Sequence, residues 1–144
     1  MPSTHRNVGR PRRDRPPGAG DGDTLSADKR WIIGVDLGGT NIVVGVLPLD
    51  GGNGDPLALR TVSTEAHRGA KYVVDRIIAL IAEVRDEVVS VHGGTADDVA
   101  GVGIGSPGPL DRASGTVINT PNLGWRNFPL RDLIANAVDL PATL

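Results

Sequence analysis

Three short stretches of the chain bring together residue types that can do chemistry. The first is Asp36-Leu37-Gly38-Gly39-Thr40-Asn41. Adjacent glycines let a backbone turn tightly and bring its N–H groups against phosphate oxygens, and the Thr40 hydroxyl can donate to the same anion. Asp36 precedes them at the end of an apolar run, where its carboxylate could hold a hydrated Mg²⁺ opposite those phosphates. Gly-Gly is also a common turn dipeptide, so an ordinary hairpin stands as the alternative. The spacing fits neither the GxxxxGK phosphate loop nor GxGxxG between a strand and a helix.

The second stretch is Gly103-Ile104-Gly105-Ser106-Pro107-Gly108-Pro109-Leu110-Asp111. Prolines fix φ on either side of Gly108, whose bare backbone can approach a ligand hydroxyl; the same Pro-Gly-Pro can equally do no more than end a strand. Asp111 has the type of a general base but sits in a turn beside Arg112, where aspartate commonly satisfies its own backbone, and it is assigned to structure. The third stretch, Asn119-Thr120-Pro121-Asn122-Leu123-Gly124-Trp125, is a polar loop whose amides can orient hydroxyls. Trp125 could stack on a sugar face, but Phe128 and Leu130 nearby favour a core anchor. His5, His67 and His92 stand apart from one another and form no metal set or triad.

The elements that must position these stretches follow from periodicity. Trp31 to Val35 is a short branched run of strand length with Asp36 at its carboxyl end, Asn41 to Leu47 is a second, and only Leu37, Gly38, Gly39 and Thr40 separate them, which predicts a tight hairpin. Leu57 to Ser63 is a third strand after a glycine-rich turn. Ala70, Val74, Ile77, Ile81, Val84 and Val88 then step by three and four, which predicts an amphipathic helix ending near His92, with Gly93 and Gly94 as a left-handed terminator. Val99 to Ser106 is a fourth strand with one glycine face, which implies close approach of a neighbour or ligand. A turn-rich stretch, a short helix over 130–138 and the start of a strand at Ala142 complete the chain. Three antiparallel strands, a crossover helix and a fourth strand returning parallel to the first make a mixed α/β sheet.

Composition narrows the function. The 144 residues have room for one domain, and a net charge of -2 with 3% aromatic residues disfavours nucleic acid as a partner. The absence of cysteine excludes a disulfide framework and a thiolate zinc site. No apolar run is long enough to span a membrane and no secretory signal opens the chain, so a cytoplasmic protein is expected. Residues 1–28 carry four glycines, five arginines and few branched apolar residues, which predicts a disordered tail or a misassigned start; Asp14 interrupts its basic cluster at Arg10, Arg12, Arg13 and Arg15. Residues 29–144 are expected to form the one ordered lobe.

Together, and in this order, the motifs resemble a known family. IIGVDLGGTNIVVGVL is similar to the first phosphate motif of the actin-like, ribonuclease H-like ATPase superfamily, and GVGIGSPGPLD with GTVINTPNLGWRNFPL resembles the ROK family of sugar kinases, most of all its bacterial glucokinases. The resemblance covers residues 31–144. It implies an N-terminal lobe of that fold, with Asp36, Gly38, Gly39, Thr40 and Asn41 facing ATP and Mg²⁺, and Gly108 and Asn122 lining a sugar pocket. It also implies phosphorylation of an aldohexose, glucose above all, by a full-length protein that is a homodimer or larger. No catalytic residue is assigned within the chain. The family's aspartate base follows a strand that begins where Ala142 to Leu144 stand, so it is expected beyond Leu144, as are the family's zinc site and second phosphate motif; residues 1–144 alone are expected to be inactive. The family also contains sugar-responsive repressors, which place a DNA-reading domain before the DLGGT motif; about 30 residues precede Trp31, too few for one. A sugar-binding segment without catalysis is a third reading, disfavoured by the sheet edge it would expose.

Overall fold

A computed structural model describes residues 29–144; the expected tail over 1–28, with its arginine cluster and His5, lies outside the described residues. Strand β1 (Trp31–Leu37) alternates buried and open positions, so Trp31, Ile33, Val35 and Leu37 enter the core while Ile32, Gly34 and Asp36 face the other way. It turns at Gly38 and pairs antiparallel with β2 (Asn41–Pro48), which pairs antiparallel with β3 (Ala58–Ser63). Helix α1 (Ala70–His92) lays Val73, Val74, Ile77, Leu80, Ile81, Val84 and Val88 on this sheet, and β4 (Val99–Gly105) returns parallel to β1. The hairpin, the crossover helix and the parallel return all stand where periodicity puts them. At the helix end, Gly93 has φ 67° but ψ 159°, so it leaves through an extended glycine-only conformation instead of the left-handed helical well expected for it.

The stretch read as turns is in fact a second sheet. Strands β5 (Leu110–Asp111), β6 (Thr116–Thr120) and β7 (Trp125–Phe128) form an antiparallel meander, followed by α2 (Leu130–Val138) and β8 (Ala142–Thr143). Strand β8 joins the main sheet parallel to β4, giving the order β3-β2-β1-β4-β8. The glycine face of β4 divides by position. A side chain at Gly101 would come within 2.7 Å of the Pro141 carbonyl, so that glycine admits the entering strand; Gly103 has nothing within 4 Å of where a Cβ would stand. On the face away from α1, Gly34, Gly45 and Gly103 lie side by side across three strands and floor a shallow hollow of about 320 Å³ that also meets Val43, Leu59 and Asp36. Asp36 is its one ionisable group, which suits packing better than hydroxyl recognition. No helix of the described residues is long and apolar enough to cross a membrane.

Candidate functional site

Strands β1 and β4 run parallel and both end at the same edge of the sheet, with Asp36 opposite Gly105. In open α/β sheets the crevice outside such carboxyl ends is where ligands bind. Asp36 points out of the sheet face, exposed, with no hydrogen bond or ion pair among the described residues, and Gly105 leaves space beside it. The hairpin that follows is closed by the Gly38 N–H donating to the Asn41 carbonyl at 2.8 Å. The N–H groups of Gly39 and Thr40 have no acceptor among the described residues, and both residues are exposed. Two free donors next to a free carboxylate can receive an anion that also carries a divalent cation.

Among the described residues no group of three His, Cys, Asp or Glu side chains could hold a metal ion. A protein cage for a cation is thus missing there. Mg²⁺ does not need one, since it keeps several waters and takes one or two carboxylates with substrate phosphates, and the unpaired Asp36 carboxylate suits that role.

The glycines of the hairpin serve a different purpose from the one their types suggest. Neither Gly38 nor Gly39 has positive φ. A Cβ on Gly38 would meet the Asn41 carbonyl at 3.0 Å, and one on Gly39 would meet Asn122 Cβ at 3.3 Å and its Nδ2 at 3.6 Å. Space explains both, and the second contact brings the third sequence motif against the first. Asn122 itself lies exposed in the β6–β7 turn, where the Leu123 N–H donates to the Thr120 carbonyl.

Gly108 is exposed, with φ 92°, and a Cβ there would sit 2.2 Å from the Asn119 carbonyl and 2.8 Å from Thr120 Cγ2. Its backbone therefore lies flat against β6, between Asn119 and the Pro109 carbonyl that accepts from the Ile118 N–H. Gly108 is accessible to a ligand, but packing and backbone conformation already require glycine.

Asp111 accepts from the backbone N–H groups of Ala113 at 3.0 Å and Ser114 at 3.2 Å. The Ser114 side chain and backbone, then Ala113 and Arg131, hold its carboxyl below the usual aspartate range. A carboxylate so held is a weaker base, in keeping with its assignment to the turn. Trp125 is buried and stacks on Phe128 at 4.3 Å between centroids, the anchor expected of it. His67, in the turn before α1, and His92, the last residue of α1, are both exposed and lie far apart.

One residue beside the hairpin escapes a reading by residue type. Thr64, fully buried, donates its hydroxyl to the Gly38 carbonyl at 2.7 Å and its N–H to the Thr40 carbonyl at 2.7 Å. The β2–β3 register, with Asn41 opposite Ser63, delivers it there. Next to it Glu65 adopts φ 51° and ψ 47°, a left-handed conformation uncommon outside glycine. Its carboxylate accepts from Tyr72 Oη at 2.7 Å and Arg76 Nη1 at 2.9 Å, both on α1. The Tyr72 bond first, then Arg76 and Arg68, keep the Glu65 carboxyl below its ordinary range against a smaller opposing effect of burial.

Residues 32–144 match the ROK family. The glucokinase of Halalkalibacterium halodurans is 33% identical over 112 residues, 78% of this chain and 32% of that protein. The xylose repressor of Caldicellulosiruptor bescii is 31% identical over 119 residues, 81% of this chain and 28% of the repressor. In three dimensions the ROK family glucokinase from Streptomyces griseus, in complex with glucose and AMPPNP, is similar with a TM-score of 0.65 at 35% identity, covering 79% of this chain and 32% of that one. The chain thus spans about a third of the length of the relatives it matches. The mixed sheet and its crossover are those of the actin-like ATPase lobe that the motifs imply.

Proposed function

The chain belongs to the ROK family, and from that premise we propose that the protein carrying it transfers the γ-phosphoryl group of ATP to the 6-hydroxyl of an aldohexose, most simply glucose. One observation carries the reading: the free Asp36 carboxylate and the free N–H groups of Gly39 and Thr40 share one edge of the sheet, and Asn122 touches that hairpin. A relative with the same fold holds glucose and AMPPNP together.

In this mechanism the hairpin N–H groups and the Thr40 hydroxyl donate to phosphate oxygens, and Asp36 would hold a hydrated Mg²⁺. The ion, when bound, neutralises charge that builds on the transferring group. Gly108 and Asn122 orient the sugar. Asn122 stands beside Gly39 of the hairpin, which keeps the hydroxyl close to the phosphate, so that positioning supplies much of the rate. Deprotonation of the hydroxyl needs a carboxylate that Asp111 does not provide, and the resemblance assigns it beyond Leu144.

The similarity to a xylose repressor favours a second reading, a sugar-sensing regulator built on the same lobe. Coupled ADP release by the full-length protein over a panel of aldoses separates the two. Glucose-dependent ADP release is expected, and Asp36→Ala should lower kcat about 100-fold or more while sugar affinity stays within a few fold. Sugar binding without ADP release, accompanied by retention of operator DNA, would replace the kinase reading with the regulator.

A further inference from the structure

Thr64 has no place in the chemistry described above, yet it makes two hydrogen bonds to the two carbonyls that flank Gly39. We infer that Thr64 is a positioning residue for the nucleotide: its buried hydroxyl fixes the orientation of the Gly38–Gly39 peptide and so aims the Gly39 N–H at the phosphate. The proposal rests on the reading of the hairpin as the phosphate site.

The argument starts from the planar trans peptide, in which the C=O of one residue and the N–H of the next point in opposite directions. No peptide of the described chain is cis. The Gly38 carbonyl turns toward Thr64 Oγ1 at 2.7 Å, and therefore the Gly39 N–H turns away from Thr64. Gly39 is exposed and its N–H has no acceptor among the described residues, so the donor faces an open side. A glycine pair rotates its shared peptide with little steric resistance. Without the hydroxyl, the same peptide can turn over and present an oxygen where the phosphate must sit.

Thr64 is itself held from two sides, as a positioning group must be. Ser63 before it is paired with Asn41 in the sheet, and the N–H of Thr64 itself donates to the Thr40 carbonyl. Glu65 after it is tied to Tyr72 and Arg76 on α1, in a left-handed conformation that only such contacts sustain. The chain of contact runs from α1 through Glu65 and Thr64 to the hairpin.

The test uses Thr64→Val, which keeps the shape and deletes the hydroxyl, and Thr64→Ser, which restores it, both in the full-length protein. Titration with AMPPNP and with glucose is read alongside thermal unfolding. Thr64→Val should weaken AMPPNP about three- to tenfold, the worth of one lost orienting hydrogen bond, and leave glucose affinity within twofold; Thr64→Ser should recover AMPPNP binding. Unchanged AMPPNP affinity in Thr64→Val, or equal losses for nucleotide and sugar, overturns the proposal. If Thr64→Val does not fold, Thr64→Ala takes its place in the same titrations with the same outcomes, and in the wild-type protein a Gly39 amide resonance that does not shift on adding AMPPNP overturns the proposal. Asp36→Ala, measured in parallel, separates the two levels. Nucleotide weakened by Asp36→Ala but not by Thr64→Val removes Thr64 alone, whereas indifference to both removes the phosphate role of the hairpin and this proposal with it.

Discussion

Replacing Gly108 with alanine tests whether that glycine is fixed by packing before any ligand arrives. At φ 92° an alanine incurs the steric cost of left-handed backbone, about 1–2 kcal/mol. Its Cβ would also stand 2.2 Å from the Asn119 carbonyl, a backbone atom of β6 that cannot swing aside, and 2.8 Å from Thr120 Cγ2. Relief requires β6 to shift, and overpacking of this kind costs about 1–3 kcal/mol. The sum, roughly 2–5 kcal/mol, is a large part of the 5–15 kcal/mol that holds an ordinary domain. Gly103→Ala is the matched control, because φ there is not positive and nothing lies within 4 Å of the added carbon. Urea unfolding of the two variants on one background should show a much lower midpoint for Gly108→Ala and no loss for Gly103→Ala. Coincident midpoints would refute the packing argument, and the need for glycine at position 108 would then have to lie wholly with a ligand.

Asn122→Ala should weaken glucose by about 1–3 kcal/mol in titration calorimetry, since it leaves a sugar hydroxyl without its partner; wild-type affinity would take Asn122 out of the sugar pocket. Glu65→Gln should flatten part of the acid side of the stability curve. The Glu65 carboxyl is held below its reference of 4.5 in the folded chain, so its stabilisation is present above the unfolded value and fades as pH falls through the folded one. Melting temperatures should therefore favour the wild type at neutral pH and converge with Glu65→Gln as pH falls below that reference; a gap that is constant with pH would mean that the Tyr72 and Arg76 contacts do not favour the ionised carboxylate.

The main sheet and α1 are legible because burial there is one-sided. Trp31, Ile33, Val35 and Leu37 alternate against open positions, and Val74, Ile77, Ile81, Val84 and Val88 repeat at helical spacing. The β5–β6–β7 meander is not legible for the opposite reason. Its strands are short, and β6 and β7 mix Val117 and Trp125 with Thr116, Asn119, Arg126 and Asn127, so no period of two emerges. The meander is held by backbone pairing between neighbouring strands, which the side-chain pattern does not record. Thr64 is hidden in another way. Nothing about a threonine before a glutamate marks it, and only the register of β2 against β3 carries its hydroxyl beneath the hairpin.

The contact between Gly39 and Asn122 changes what the Gly-Gly dipeptide means. If handedness of the turn had required glycine, positive φ would be found at one of the pair, and neither has it. What crowds position 39 is the side chain of a residue far along the chain, 3.3 Å from where a Cβ would stand, so a side chain there would displace Asn122 by a few tenths of an ångström. The asparagine can reach the hairpin because the meander turns at Thr120 and Gly124, and the meander keeps its place because Gly108 lies flat on β6. Hairpin, Pro-Gly-Pro turn and polar loop are therefore three faces of one packing arrangement. Under the proposed kinase reading, a change in any of them would move the distance between phosphate and sugar, and a transfer reaction depends on that distance more steeply than on any single contact.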